Sequence, residues 1–150
     1  MTIGLGLVSA RCLTVASAAL LSCVLLVSCG ENTNTTISDV EARNTVGEYV
    51  TAVNDGDLDK LISLTCDPQN ASWRVLVSPD YNHERVQVEN SMRSFDAQIL
   101  SVSKVKPHGK SSEVVMTGVT TKKSSGERLT GTQKFTLQKF RGGIRVCNVE

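Results

Sequence analysis

The side chains that could move a proton are few and unevenly placed. Asp80, Tyr81, His83 and Glu84 bring two carboxylates, a phenol and an imidazole into five positions, with Asp96 and Tyr49 as further candidates. A general base must be a partly buried carboxylate or imidazole facing its substrate. None of these six sits in an apolar run that would force it inward. Residues 80–83 read as a loop, and His108 lies in a hairpin turn with Pro107 and Gly109. Asp55 and Asp57 suit the corner and the cap of helices. The two histidines are not paired at ligand spacing, so no zinc site is expected. No Gly-rich phosphate loop and no nucleophile elbow occur. No catalytic residue, metal or cofactor is predicted from these positions.

Composition narrows the classes further. The chain has 150 residues, enough for one globular domain. Sixteen Lys and Arg against fifteen Asp and Glu leave a net charge of +1. Nucleic-acid binding is not expected, because it needs a strongly basic field. The distribution carries more information than the sum. Residues 29–100 hold twelve acidic and five basic side chains, and residues 101–150 hold three acidic and ten basic. Either the basic half faces anionic headgroups or an acidic partner, or both sets of charges simply solvate the surface.

Five cysteines are the other chemically distinctive group. Residues 13–27 carry no charge and are rich in Leu, Val and Ala. A run of about fifteen residues fits a signal-peptide core and is short for a membrane span of roughly twenty, although a retained signal anchor is the alternative. Leu26-Val27-Ser28-Cys29 at its end resembles the lipobox of bacterial lipoproteins. That resemblance implies cleavage after Ser28, acylation of Cys29 and a lipid-anchored protein on the extracytoplasmic face of the cell membrane, since two or three acyl chains suffice for stable anchoring. Residues 29–37 are then a polar tether, either a plain spacer or one with glycosylated threonines, and residues 38–150 the domain. Cys12 and Cys23 leave with the signal, so Cys66 and Cys147 remain as a pair, expected to form a disulfide in an oxidising compartment.

The elements that would position these groups follow from periodicity. Ser38 and Glu41 form a capping box, and Val46, Tyr49, Val50 and Val53 make the apolar stripe of a first helix. Asn54-Asp55-Gly56 ends it, with Gly56 as left-handed cap. Asp57 caps a short second helix with Leu58, Leu61 and Ile62 inward, and Asp67-Pro68 closes that one. Residues 73–77 fit a strand or a helical turn, and residues 84–93 a third helix with Val86, Val88 and Met92. From Phe95 the period shortens to two. Four strands are expected: residues 95–105, 114–121, 127–140 with Leu129, Phe135 and Leu137 on one face, and 144–149. Helices first and an antiparallel meander after give an α+β fold with a curved sheet.

Residues 46–57, ending in Asn54-Asp55-Gly56-Asp57 and followed by Leu58, Leu61 and Leu64, resemble the opening of nuclear transport factor 2-like domains. The terminal segment Gly142-Gly143-Ile144-Arg145-Val146-Cys147 is similar to the last strand of small actinobacterial secreted members, with Ile144 where Trp is usual. The resemblance implies a cone: a strongly bent sheet around helices with a pocket inside. Ketosteroid isomerases and polyketide cyclases of that superfamily use Asp or His in the pocket. Two readings stay open here. One is an anchored, non-catalytic module holding a small apolar ligand or docking on an envelope protein. The other is a small envelope enzyme of isomerase or cyclase type.

Overall fold

The computed structural model describes residues 36–150, with the side chains of Pro68 and Gln69 excepted. The expected signal peptide, the cleavage after Ser28, the acylated Cys29 and the tether up to Thr35 lie outside the described residues. Ile37 is buried in the main core, so packing begins one residue before the first helix cap.

Helix α1 spans Asp39–Asp55. Its capping box forms as expected: the Glu41 amide donates to Ser38 Oγ at 3.2 Å, and the Ser38 amide donates to Glu41 Oε2 at 2.8 Å. Gly56 caps the other end at φ +60°. A Cβ there would stand 2.5 Å from the Glu89 carbonyl oxygen, so both conformation and space require glycine. Helix α2 (Leu58–Leu64) is capped by Asp57, which accepts from the Lys60 amide at 2.9 Å. It buries Leu58, Leu61 and Leu64, with Leu64 in the place expected of Ile62.

Two expectations are corrected in the next stretch. Asp67-Pro68 opens helix α3 (Asp67–Leu76), and residues 73–76 belong to that helix. Proline disfavours helix in the residue before it, which is what suggested a stop. In the first turn, however, its missing N–H is one of the unpaired donors anyway. A single 3₁₀ turn, Pro79–Tyr81, then leads into α4 (Asn82–Arg93), so residues 80–83 are not an irregular loop.

The sheet has five strands where four were expected: β1 (Phe95–Val102), β2 (Lys106–His108), β3 (Ser111–Lys122), β4 (Arg128–Phe140) and β5 (Gly143–Val149). The expected first strand, residues 95–105, ends at Val102 with a bulge at Leu100. The extra strand β2 takes in Pro107 and His108, which were expected in a hairpin turn but pair with Ser112 and Ser111 of β3. All neighbours pair antiparallel in the order β1-β3-β4-β5, with β2 beside the start of β3. The fold class is therefore α+β, four helices on a curled antiparallel sheet.

The core lies between α1 and the sheet. Ala42, Val46 and Val50 pack on Val114, Phe135 and Val146. Tyr49 meets Phe135 edge to face, with ring centroids 5.6 Å apart. A second cluster of Ala52, Leu61 and Leu64, with Trp73 and Met92 against it, fixes α2. Cys66 and Cys147 are disulfide-bonded with Cα atoms 4.7 Å apart, tying the start of α3 to β5. The same point is reinforced where the Cys66 amide donates to the Val146 carbonyl at 2.9 Å.

Candidate functional site

Beyond the core, the concave face of the sheet is not filled. In register, Ile99, Gly118 and Gly131 follow one another across β1, β3 and β4, so two adjacent positions on the helix-facing side carry no side chain. At Gly118 a Cβ would come 2.8 Å from the Gln98 carbonyl oxygen, which makes glycine obligatory there. At Gly131 a Cβ would meet open space. The space belongs to a cavity of about 650 Å³. That volume lies within the range of small-molecule sites, roughly 300–1,000 Å³.

Its walls come from three directions. Tyr49, Val50 and Val53 of α1 form one side, and Met92 of α4 another. Met116 of β3 and Leu129 of β4 complete the sheet side, with Phe95 at the rim. Leu129 shares a face with Phe135 and Leu137, as its spacing predicts. It is 66% exposed because it lies over the cavity instead of under α1. Polar groups along the wall are neutral: Gln133, Ser91 and the Thr130 and Thr132 region. Asn54 is already committed, since its Nδ2 donates to the Ala97 carbonyl at 2.9 Å and its Oδ1 accepts from the Ala97 amide at 2.8 Å.

Helix α4 is held over the cavity mainly by polar ties. Arg93 Nε donates to the Asp55 carbonyl at 2.8 Å, placing a cation at the C-terminus of α1. Arg85 bonds Asp59 and Glu89, each at 2.8 Å, and the two carboxylates raise its pKa.

Most of the proton-transfer candidates stand elsewhere. Asp80, Tyr81, His83 and Glu84 are all exposed on the 3₁₀ turn and the first turn of α4. The His83 ring lies 2.9 Å from the Gln87 side-chain amide. Asp96 faces away from the cavity, one residue out of step with Ala97, and accepts from Gln98 Nε2 at 3.0 Å. His108 ends β2 at the opposite end of the sheet. Tyr49 alone among the six lines the cavity, and burial pushes its phenol pKa up, which keeps it neutral. Among the described residues no Asp, Glu or His lines this space, and no cluster of metal-ligating side chains occurs. Such a wall can hold an apolar molecule and offer it a hydroxyl or amide, but it supplies no ionised group.

Sequence reasoning placed Tyr49 and Val53 correctly and missed the two glycines that make the room. Glycine within a strand is the available signal, because it marks a bulge or a close approach.

Neither a protein-family model nor a curated protein matches the sequence. Solved structures do match in fold. A nuclear transport factor 2-like protein with a cystatin-like fold from Novosphingobium aromaticivorans superposes with a TM-score of 0.51 at 13% identity, over 74% of this chain and 78% of the other. A ketosteroid isomerase-like protein from Shewanella frigidimarina gives 0.53 at 10% identity, over 74% and 94%. A protein of unknown function from Mycobacterium tuberculosis gives 0.51 at 11%, over 73% and 68%. The fold is thus that of nuclear transport factor 2-like, cystatin-like proteins. Identities this low speak for the fold alone.

Proposed function

We propose that the protein is a lipoprotein anchored to the extracytoplasmic face of a cell membrane through acylated Cys29, and that its cone-shaped domain binds a small apolar ligand without acting on it. The observation that carries the binding reading is the lining of the 650 Å³ cavity: aliphatic, methionine and aromatic side chains, neutral polar groups, and Tyr49 as its one titratable residue among the described residues. A catalytic base would have to work from there at near-neutral pH, and a phenol whose pKa is raised by burial is poorly suited to that. The anchor is supported by the sequence Leu26-Val27-Ser28-Cys29 at the end of an uncharged run.

The test is a titration of the purified protein with the apolar dye N-phenyl-1-naphthylamine. Saturable one-to-one binding is expected, and its absence would remove the binding reading. Isomerisation of ketosteroids and dehydration of acyl substrates are assayed in parallel. Turnover abolished by Asp80→Asn, His83→Ala or Asp96→Asn with the fold intact would replace it with an isomerase or cyclase. For the anchor, Cys29→Ala should move the protein out of the detergent phase.

A further inference from the structure

The basic charge of the strand half is not spread evenly around the sheet. At the end where β3 starts and β4 finishes, His108, Ser111, Gln138 and Arg145 lie in one register row across β2, β3, β4 and β5. Four cations lie at or just beyond that row, Lys110, Lys139, Arg141 and Arg145. Lys106 stands two residues inside it opposite Glu113, Lys104 is in the connection leading to β2, and Lys122, Lys123 and Arg128 are at the other end of the sheet. Asp39 and Glu41 lie at the same end but are occupied. Asp39 Oδ1 accepts from the Val105 amide at 2.8 Å, and Glu41 pairs with Lys139 at 2.9 Å. Among the described residues no carboxylate is in ion-pair distance of Lys104, Lys106 or Lys110, all three exposed. Exposed Phe140 lies in the same patch, with the Arg145 guanidinium 5.4 Å from its ring centroid.

The domain's N-terminal entry is at this end too. The Thr36 carbonyl accepts from Lys139 Nζ at 3.4 Å, and Asp39 reaches the connection between β1 and β2. Six residues lie between Cys29 and Thr36, a reach of at most about 25 Å. The apolar rim of the cavity, Phe95 and Leu129, lies at the other end of β3 and β4, beside Lys122 and Thr120. Twelve residues of β3 separate the ends, roughly 35 Å of strand.

From these placements, and resting on the lipid-anchor reading above, we propose that the Lys104–Lys106–Lys110 end of the sheet lies against an anionic bilayer surface, with the cavity mouth turned away from it. The short tether delivers this end first, and clustered lysines are attracted to anionic headgroups within a Debye length. The cavity would then load from the aqueous side or from a partner, and not from the bilayer holding its own anchor.

The experiment uses the full-length lipoprotein, its Cys29 acylation checked by intact mass, in vesicles of phosphatidylcholine with or without phosphatidylglycerol and a headgroup-attached quencher. A fluorophore is placed at His108→Cys or, in a second variant, at Ser124→Cys in the turn between β3 and β4. Stronger quenching at 108 than at 124 in phosphatidylglycerol vesicles is expected. That difference should be lost in K104E/K106E/K110E and reduced in phosphatidylcholine alone. Equal quenching at the two sites, stronger quenching at 124, or a difference indifferent to lipid charge and to the triple substitution would overturn the proposal while leaving the anchor intact. A protein lacking the acyl mass would remove the anchor and this proposal together.

Discussion

Gly118 and Gly131 oppose each other across β3 and β4, and together they leave two adjacent positions on the helix-facing side of the sheet without side chains. They are not equivalent. Gly118 is pressed against the Gln98 carbonyl, whereas a side chain at Gly131 has room. The cavity therefore persists because one position cannot carry a side chain and the other does not. Position 131 is where the cavity can be filled without disturbing the backbone.

The wall opposite depends on Asn54. Its amide completes two hydrogen bonds with the backbone of Ala97, acting as a one-residue extension of the sheet at the free edge of β1. Asn54→Ala leaves a half-buried amide and carbonyl unpaired, and the expected loss of stability is about 1–3 kcal/mol. Denaturant unfolding measures it. Asn54→Asp should also destabilise, since a carboxylate accepts from the amide but cannot donate to the carbonyl.

The Cys66–Cys147 bridge closes a loop with a sequence separation of 81. Chain-entropy reasoning gives about 4.5 kcal/mol for such a loop, and removal of comparable native bridges costs about 2–5 kcal/mol. The double variant Cys66→Ala/Cys147→Ala should unfold at markedly lower denaturant. Protein taken from the cell envelope should show no free thiol from this pair before reduction.

Glu41 sets an acid limit on the first helix. The Lys139 ammonium and then the Ser38 amide and hydroxyl hold its pKa down to about 2 from an ordinary value of 4.5. Because the folded-state pKa is depressed, the stabilisation is complete above about pH 4.5 and drains away as pH falls toward 2. Glu41 is a surface residue, so the effect is modest and salt-sensitive. Carbon-detected NMR titration should find this carboxyl near pH 2, and Lys139→Met should move it up. In Glu41→Gln the acid slope of stability between pH 4.5 and 2 should flatten.

Sequence legibility followed the range of the interactions. The capping box at Ser38, the left-handed Gly56 and the stripe of Val46 and Val50 are local signals, and each forms as read. Asp67-Pro68 misled because proline disfavours helix before itself and suits a helix's first turn, and only the packing of α3 against its neighbours decides between them. The end of β1 at Val102 and the pairing of Pro107 and His108 as β2 depend on partners distant in sequence: β3, and Asp39, which takes the Val105 amide between the two strands. The cavity was the least legible feature. It arises from the register that brings Gly118 opposite Gly131, thirteen residues on, and from α4, which buries none of its side chains fully and is tied down by Arg85 and Arg93.

The claim that the cone holds an apolar ligand is tested most directly by native mass spectrometry of the mature protein isolated from its own envelope, beside a Gly131→Phe variant. The account predicts that wild-type protein carries a small apolar molecule as added mass. In Gly131→Phe that mass should be lost while the disulfide and the melting temperature are kept. A bare wild-type mass, or the same adduct on both proteins, would contradict it.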